Sequence, residues 1–245
     1  MIILLVWGLR KTSAQQPTRA IVAGFSSWQY SGSYSGSQPL NAGFFVGFKT
    51  NKARYFNTRF ELGYGRAQGQ SMTFANLYGN SNQGPSPSFI TDIFYGGLDL
   101  NLNILKKPSY TLYLTGGIGL MRFDPKDGQG NGLTTINTTR QLGEAYSQSS
   151  VWFPLGIGGN YWIPNGPGIG LQVTYQNPGT RYIDNVDKLS PIAVADQLFV
   201  TRVSIFIPLP ASKPRAPRAS PSKPNTNDSP EKTRQTRKTK TQTAE

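Results

Sequence analysis

Residues 98–104 read LDLNLNI, which places Leu98, Leu100, Leu102 and Ile104 on one face of an extended strand and Asp99, Asn101 and Asn103 on the other. Such a strand has one dry face and one wet face. A soluble sandwich turns its leucines inward to a core, whereas a transmembrane barrel turns them outward to lipid. Everything else in the chain has to agree with one of these two arrangements.

Seven further segments repeat the alternation: 20–28, 41–49, 54–66, 110–122, 150–162, 168–176 and 197–207, with the first stretch lying inside 91–104. Each is long enough for a tilted bilayer-crossing strand of about 9–11 residues. The connections at 50–53, 105–109 and 163–167 are short, and those at 29–40, 67–90, 123–149 and 177–196 are long. Long and short alternate without exception. An up-and-down outer-membrane barrel sorts its connections this way, with short turns at the periplasmic end, while a soluble sandwich has no reason to. The expectation is an all-β, eight-stranded antiparallel up-and-down transmembrane β-barrel of the outer-membrane type over residues 16–210, with both termini periplasmic.

The two faces point the same way. One parity collects Phe44, Val46, Phe60, Leu62, Leu112, Leu114, Leu155, Ile157, Leu171, Val203 and Ile205; the other collects Arg59, Glu61, Asp99, Asn101, Thr115, Asn160, Gln172 and Arg202. The second set cannot form a dry core, because buried charges and amides would need partners throughout. It suits a narrow polar lumen, in which Arg59 and Arg202 pair with Glu61 and Asp99 as a stabilising plug. Trp28, Tyr55, Tyr64, Tyr110, Trp152, Tyr161, Trp162 and Tyr175 fall near strand ends, where an interfacial girdle belongs.

Only 15% of residues are charged, and the chain has neither Cys nor His. The commonest general base, the commonest metal ligand and every thiolate are therefore missing, and no catalytic residue, metal site or cofactor is expected. The stretch DPKDGQGNG (124–132) lacks the alternating ligand spacing of an EF-hand loop and reads as a turn. Lys49, Lys52, Arg54, Lys106 and Lys107 read as edge charges that keep the short turns wet.

The ends differ in composition from the middle. Residues 1–15 begin with an apolar run too short to span a bilayer and end in Thr12-Ser13-Ala14, the pattern of a cleaved export signal, although Arg10 and Lys11 follow the run rather than precede it. Residues 211–245 carry nine Lys or Arg against three acids and almost nothing apolar. They read as a disordered basic periplasmic tail: either a solvated extension or an electrostatic tether to an acidic periplasmic partner or the cell wall, with Lys213, Arg215, Arg218, Lys223, Arg234, Arg237, Lys238 and Lys240 as its contacts.

Three blocks in the second half carry a family resemblance. Gly117, Ile118 and Gly119 lead to Phe123, Pro125 and Lys126; Tyr146 and Ser147 lead to Pro154, Gly156 and Gly158; and a later loop holds Tyr182, Ile183, Asp184 and Val186. Together these resemble the PorG-like outer-membrane β-barrel component of the type IX secretion system of gliding and protein-secreting bacteria. Arg181, Asn185 and Asp187 stand where that family carries Asp, a second Asp and Ser. The resemblance implies a non-enzymatic role in secretion and gliding motility, with the barrel anchoring or assembling a periplasmic ring made of a lipoprotein and its partner. The alternative from the residues alone is a generic small outer-membrane barrel whose surface loops serve adhesion or ligand binding. Neither nucleic acid nor a small-molecule substrate is expected, and a pore is disfavoured because eight strands leave a lumen that side chains fill.

Overall fold

The computed structural model describes residues 16–210 apart from 35, 37, 79–83, 135–139, 141–142, 144, 165 and 190–194. The expected export signal (1–15) and basic tail (211–245) thus lie outside the described residues.

Eight strands follow in chain order: β1 (Arg19–Ser31), β2 (Asn41–Thr50), β3 (Phe56–Gln70), β4 (Ser88–Lys106), β5 (Tyr110–Asp127), β6 (Ser149–Trp162), β7 (Gly168–Asn177) and β8 (Gln197–Pro208). A short helix, α1 (Met72–Tyr78), lies between β3 and β4. Each strand pairs antiparallel with the next, and β8 pairs back onto β1 from Ala20 opposite Pro208 to Ser31 opposite Gln197, closing the barrel. Closure leaves no open edge, so the ladders pair the backbone polar groups of the wall with one another where lipid offers no partner.

All eight expected segments are strands, and β1, β3, β4 and β5 run three or more residues further towards the loops than the alternation marked, β1 reaching Ser31. β3 continues to Gln70, β4 starts at Ser88 and β5 reaches Asp127, so the loop between β3 and β4 shrinks to 71–87 and that between β5 and β6 to 128–148. The ladder continues past the apolar band because polar cross-strand neighbours such as Arg66 and Asp92 sustain pairing in water. Short turns at 51–55, 107–109 and 163–167 share one end of the barrel with the first and last strand ends, here termed the turn end. The loops at 32–40, 71–87, 128–148 and 178–196 share the other, the loop end. Turn chemistry is local: Lys107 N donates to Tyr110 O across Pro108, and Gly166 N donates to Ile163 O.

The two faces of the wall invert the soluble arrangement. Leu100 is 49% exposed and Leu155 65%, while Arg59 and Glu61 are buried at 1% and 0%. The aliphatic exterior runs around all eight strands. No helix is long and apolar enough to cross a membrane, so crossing falls to the strands. The fold is a transmembrane β-barrel of the outer-membrane type: the leucines of residues 98–104 face lipid, and Asp99, Asn101 and Asn103 face the lumen.

Candidate functional site

Register places the charged residues of the lumen at one level. Arg59 on β3 stands directly opposite Asp99 on β4, and Glu61 follows Arg59 on the same inward face. Arg59 Nη2 lies 2.5 Å from Asp99 Oδ2, and Arg59 Nε lies 3.2 Å from Glu61 Oε2. The other oxygen of Glu61 meets Arg202 Nη2 at 3.0 Å. Arg202 comes from β8, which does not neighbour β3, so this contact spans the lumen. Arg202 Nη1 also donates to Thr174 Oγ1 on β7. Two guanidiniums and two carboxylates thus form a chain Asp99–Arg59–Glu61–Arg202 that ties opposite walls together.

Bulky side chains fill the lumen on either side of this chain. Towards the loop end, Tyr95 packs tilted against Trp28 and edge-on against Trp152, with both centroid separations 5.4 Å. Towards the turn end, Trp162 packs on Phe206. Trp28, Trp152 and Trp162 are almost fully buried, which corrects their assignment to an interfacial girdle. They lie on the inward parity, and inward glycines on other strands, across the lumen for Trp28 and on the adjacent β5 for Trp152, open slots for them. A Cβ on Gly65 would come 2.2 Å from the Trp28 ring, and one on Gly119 would come 2.0 Å from Trp152 Nε1. Of the expected girdle, Tyr55, Tyr110 and Tyr161 are exposed and ring the turn end, and Tyr64 and Tyr175 are half-buried near the loop end.

Lys49 also departs from expectation. It is not an edge charge of the first turn but is buried in the lumen, with Nζ 4.5 Å from the centroid of the Tyr113 ring and 5.2 Å from that of Phe206. The Asn160 amide, turned with its oxygen towards Lys49, accepts from the same ammonium. The β2 alternation contains the signal for this: Phe44, Val46 and Phe48 point outward, so Lys49 points in. Lys52, Arg54 and Lys107 are exposed, whereas Lys106 donates to the carbonyls of Asn51 and Ala53 and closes the first turn.

At the loop end the long connections fold over the barrel mouth. Ile183, Asp184, Asn185 and Val186, from the loop that resembles the family motif, are all buried. Asn185 adopts φ 62°, a left-handed conformation that Asn tolerates better than most side chains, and its Nδ2 donates to Leu133 O in the loop 128–148. Thr91 of β4 donates to Ile183 O, and Tyr182 packs edge-on against Tyr146, whose ring carries the Arg140 guanidinium at 3.8 Å. From the other side, Phe74 of α1 packs on Tyr34, and Tyr34 on Phe89. All four loops contribute to one lid.

Beneath the lid lies a group of which the sequence marked Asp184 but neither Tyr30 nor Asp196. Tyr30 Oη is 2.8 Å from Asp184 Oδ2 and 2.7 Å from Asp196 Oδ1, and it accepts from Ser33 N at 3.1 Å. Val186 N donates to the second oxygen of Asp184, and Ile183 N to the second oxygen of Asp196. Burial pushes the Asp184 carboxyl up to about 7, and burial together with the neighbouring Asp184 charge pushes Asp196 well above the usual carboxylate range. Nothing in the sequence near Asp196 marks it, because its partners lie at distant positions. The Asp124–Gly132 stretch ends in a turn in which Gln129 N, Asn131 N and Asn131 Nδ2 all donate to the Asp127 carboxylate. No cluster of three or more potential metal-ligating side chains occurs among the described residues.

The chain is similar in overall form to small outer-membrane barrels. Neisserial surface protein A matches at 12% identity and a TM-score of 0.48, over 78% of this chain and 97% of that one. Ail of Yersinia pestis, in complex with the heparin analogue sucrose octasulfate, matches at 12% identity and 0.44, over 77% and 96%. The N-terminal β-barrel domain of Pseudomonas aeruginosa OprF matches at 10% identity and 0.40, over 79% and 100%. No protein-family model matches the sequence, and no curated protein does. Likeness at this level transfers no ligand and no role; the fold stands on the closed ladder and the two faces of the wall.

The turn end is chemically one-sided. Arg19, Lys52, Arg54 and Lys107 are exposed there, Arg54 lying over the Tyr55 ring at 5.3 Å, and no acidic side chain occurs at this end among the described residues. The eight basic residues proposed as tail contacts, from Lys213 to Lys240, lie outside the described residues.

Proposed function

We propose that this protein is a non-enzymatic structural component of the bacterial outer membrane that docks an acidic periplasmic assembly on its turn end. The observation that carries this reading is the exposed, acid-free set of cations on the short turns. The lumen is occupied by side chains and the mouth by the lid, which leaves the turn end as the face whose exposed cations have no acidic neighbour among the described residues. The three motif blocks give the machine: the PorG-like component of the type IX secretion system, with the barrel holding a periplasmic ring of a lipoprotein and its partner against the membrane. Termini at the periplasmic side would bring residues 211–245 to the same face and add their positive charge.

The test is affinity isolation from gently solubilised envelopes. The wild-type protein should bring the ring subunits with it, and the triple variant Lys52→Glu, Arg54→Glu, Lys107→Glu should lose them while remaining a folded barrel. Equal recovery with the triple variant would remove the turn end from the mechanism; equal recovery after deletion of residues 211–245 would remove the tail alone.

A second reading, adhesion through the loops, is favoured by the exposure of Leu40, Met72 and Leu77 at the loop end. Met72→Ser with Leu77→Ser should abolish adhesion under that reading and leave recovery of the ring unchanged under the first.

A further inference from the structure

The outward faces of β1, β2, β6, β7 and β8 carry no charged side chain at the loop end; every outward charge there lies on β3, β4 and β5. Cross-strand register gathers them. Arg66 stands opposite Asp92, Asp92 opposite Asp124, and Phe94 opposite Arg122. Asp92 organises the group: Arg66 Nε donates to it at 2.9 Å, Lys126 Nζ at 2.8 Å and Tyr64 Oη at 2.5 Å. Lys126 also lies 3.4 Å from Asp124. Arg122 is different. Its side chain is exposed, and no hydrogen bond or ion pair engages it among the described residues.

The height of this cluster gives it a meaning. Just below it, on the same three strands, the outward residues are Leu62, Phe94 and Leu120, all exposed members of the aliphatic belt. Arg122 follows Leu120 on the outward face of β5, so its guanidinium sits where acyl chain gives way to headgroup. Three cations and two carboxylates leave one positive charge in excess, and the unengaged cation is the one nearest the belt. Guanidinium pairs with phosphate oxygens through parallel N–H donors, and its weak hydration suits a partly apolar site.

We infer that the outward face of β3–β5 at the loop end is a binding site for the phosphate of an anionic lipid headgroup, with Arg122 as the phosphate ligand. Arg66 and Lys126, held by Asp92, border the headgroup, and Phe94 and Leu120 receive the acyl chains. The site is confined to one wall, so it fixes a particular lipid against a particular side of the barrel. The assignment rests on the membrane reading with the loop end in the outer leaflet.

The experiment uses the full-length protein in phosphatidylcholine nanodiscs doped with either lipid A or its dephosphorylated form, with bound lipid counted by native mass spectrometry. Wild-type protein should retain lipid A in preference to the dephosphorylated lipid. Arg122→Gln should lower that retention about fivefold, the effect of removing one cation near an anionic surface. Lys188→Gln, which removes an exposed cation of the loop 178–196 rather than of the wall, should leave retention unchanged. Circular dichroism and protease protection report folding and insertion separately. Equal retention of both lipids, or of lipid A by wild type and Arg122→Gln, overturns the site. Displacement by inorganic phosphate alone overturns the lipid assignment in favour of a free anion. Failure of the folded protein to insert overturns the membrane reading and the site with it.

Discussion

Asp184 and Asp196 stand twelve positions apart in one loop and meet on a single atom, the Tyr30 hydroxyl oxygen, at 2.8 and 2.7 Å. A phenol has one hydrogen, so it donates to one carboxylate only. Both oxygens can sit this close to the one hydroxyl when one of the acids is protonated and donates to Tyr30, and burial raises both carboxyls in that direction. Ionising both buried acids would set two negative charges against each other around one hydroxyl, so this geometry favours one shared proton.

A definite pH response follows. Both carboxyls have folded-state values above the ordinary value of about 3.9 that they have when unfolded. Raised acids of this kind stabilise the fold fully below about pH 4 and lose that stabilisation as pH rises through the folded value, about 7 for Asp184. Facing them are the Tyr30 and Tyr34 phenols and the Thr91 hydroxyl, none of which supplies a compensating cation. Hydrogen exchange at the amides of Ile183 and Val186, corrected for intrinsic rate, should show opening increase from pH 5 to pH 8. Asp196→Asn should flatten that profile, and an unchanged profile would refute the shared proton.

Glu61 bridges Arg59 and Arg202, so Glu61→Gln leaves two buried guanidiniums with Asp99 as their remaining carboxylate. Breaking a buried pair from one side typically destabilises by about 3–5 kcal/mol. Urea unfolding of the barrel in lipid vesicles should show a loss of that size. The double variant Glu61→Leu, Arg202→Met should lose distinctly less, because it strands no charge on that side of the lumen.

The slot beside Trp28 makes a steric prediction. Gly65→Ala drives a methyl carbon into the indole and should destabilise by about 1–3 kcal/mol, measured as a lowered unfolding midpoint. Combining it with Trp28→Phe should recover part of the loss, since the smaller ring vacates space at the contact.

The orientation of the wall is open to direct test at Leu100, which faces outward midway along β4. Leu100→Arg should weaken folding into vesicles by about 2–4 kcal/mol, the cost of a cation near the bilayer midplane. Arginine at exposed Gln70, at the end of β3 by the loops, should have little effect.

Much of this molecule was legible because a strand's side chains alternate with period two and its neighbours need only be adjacent. Leu98 to Ile104 assign their own faces, and the order of short and long connections assigns the ends. The local period also places Arg59, Glu61, Asp99 and Arg202 on the lumen face, since parity needs no knowledge of the rest of the fold. The three tryptophans show how position along a strand misleads where parity does not: Trp28, Trp152 and Trp162 lie near strand ends, as girdle residues do, but on the inward side.

What the chain could not declare locally is which residues meet across space. Glu61 reaches Arg202 only because closing β8 onto β1 curls the wall until side chains of β3 and β8 meet across the lumen. Tyr30, Asp184 and Asp196 come together only when the loop 178–196 folds down into the mouth, and the loops it packs on arrive from three other parts of the chain. Alternation along a strand is a property of consecutive residues and is written in their order; a shared proton under a lid depends on barrel curvature and loop packing, and these exist only once the whole chain has closed.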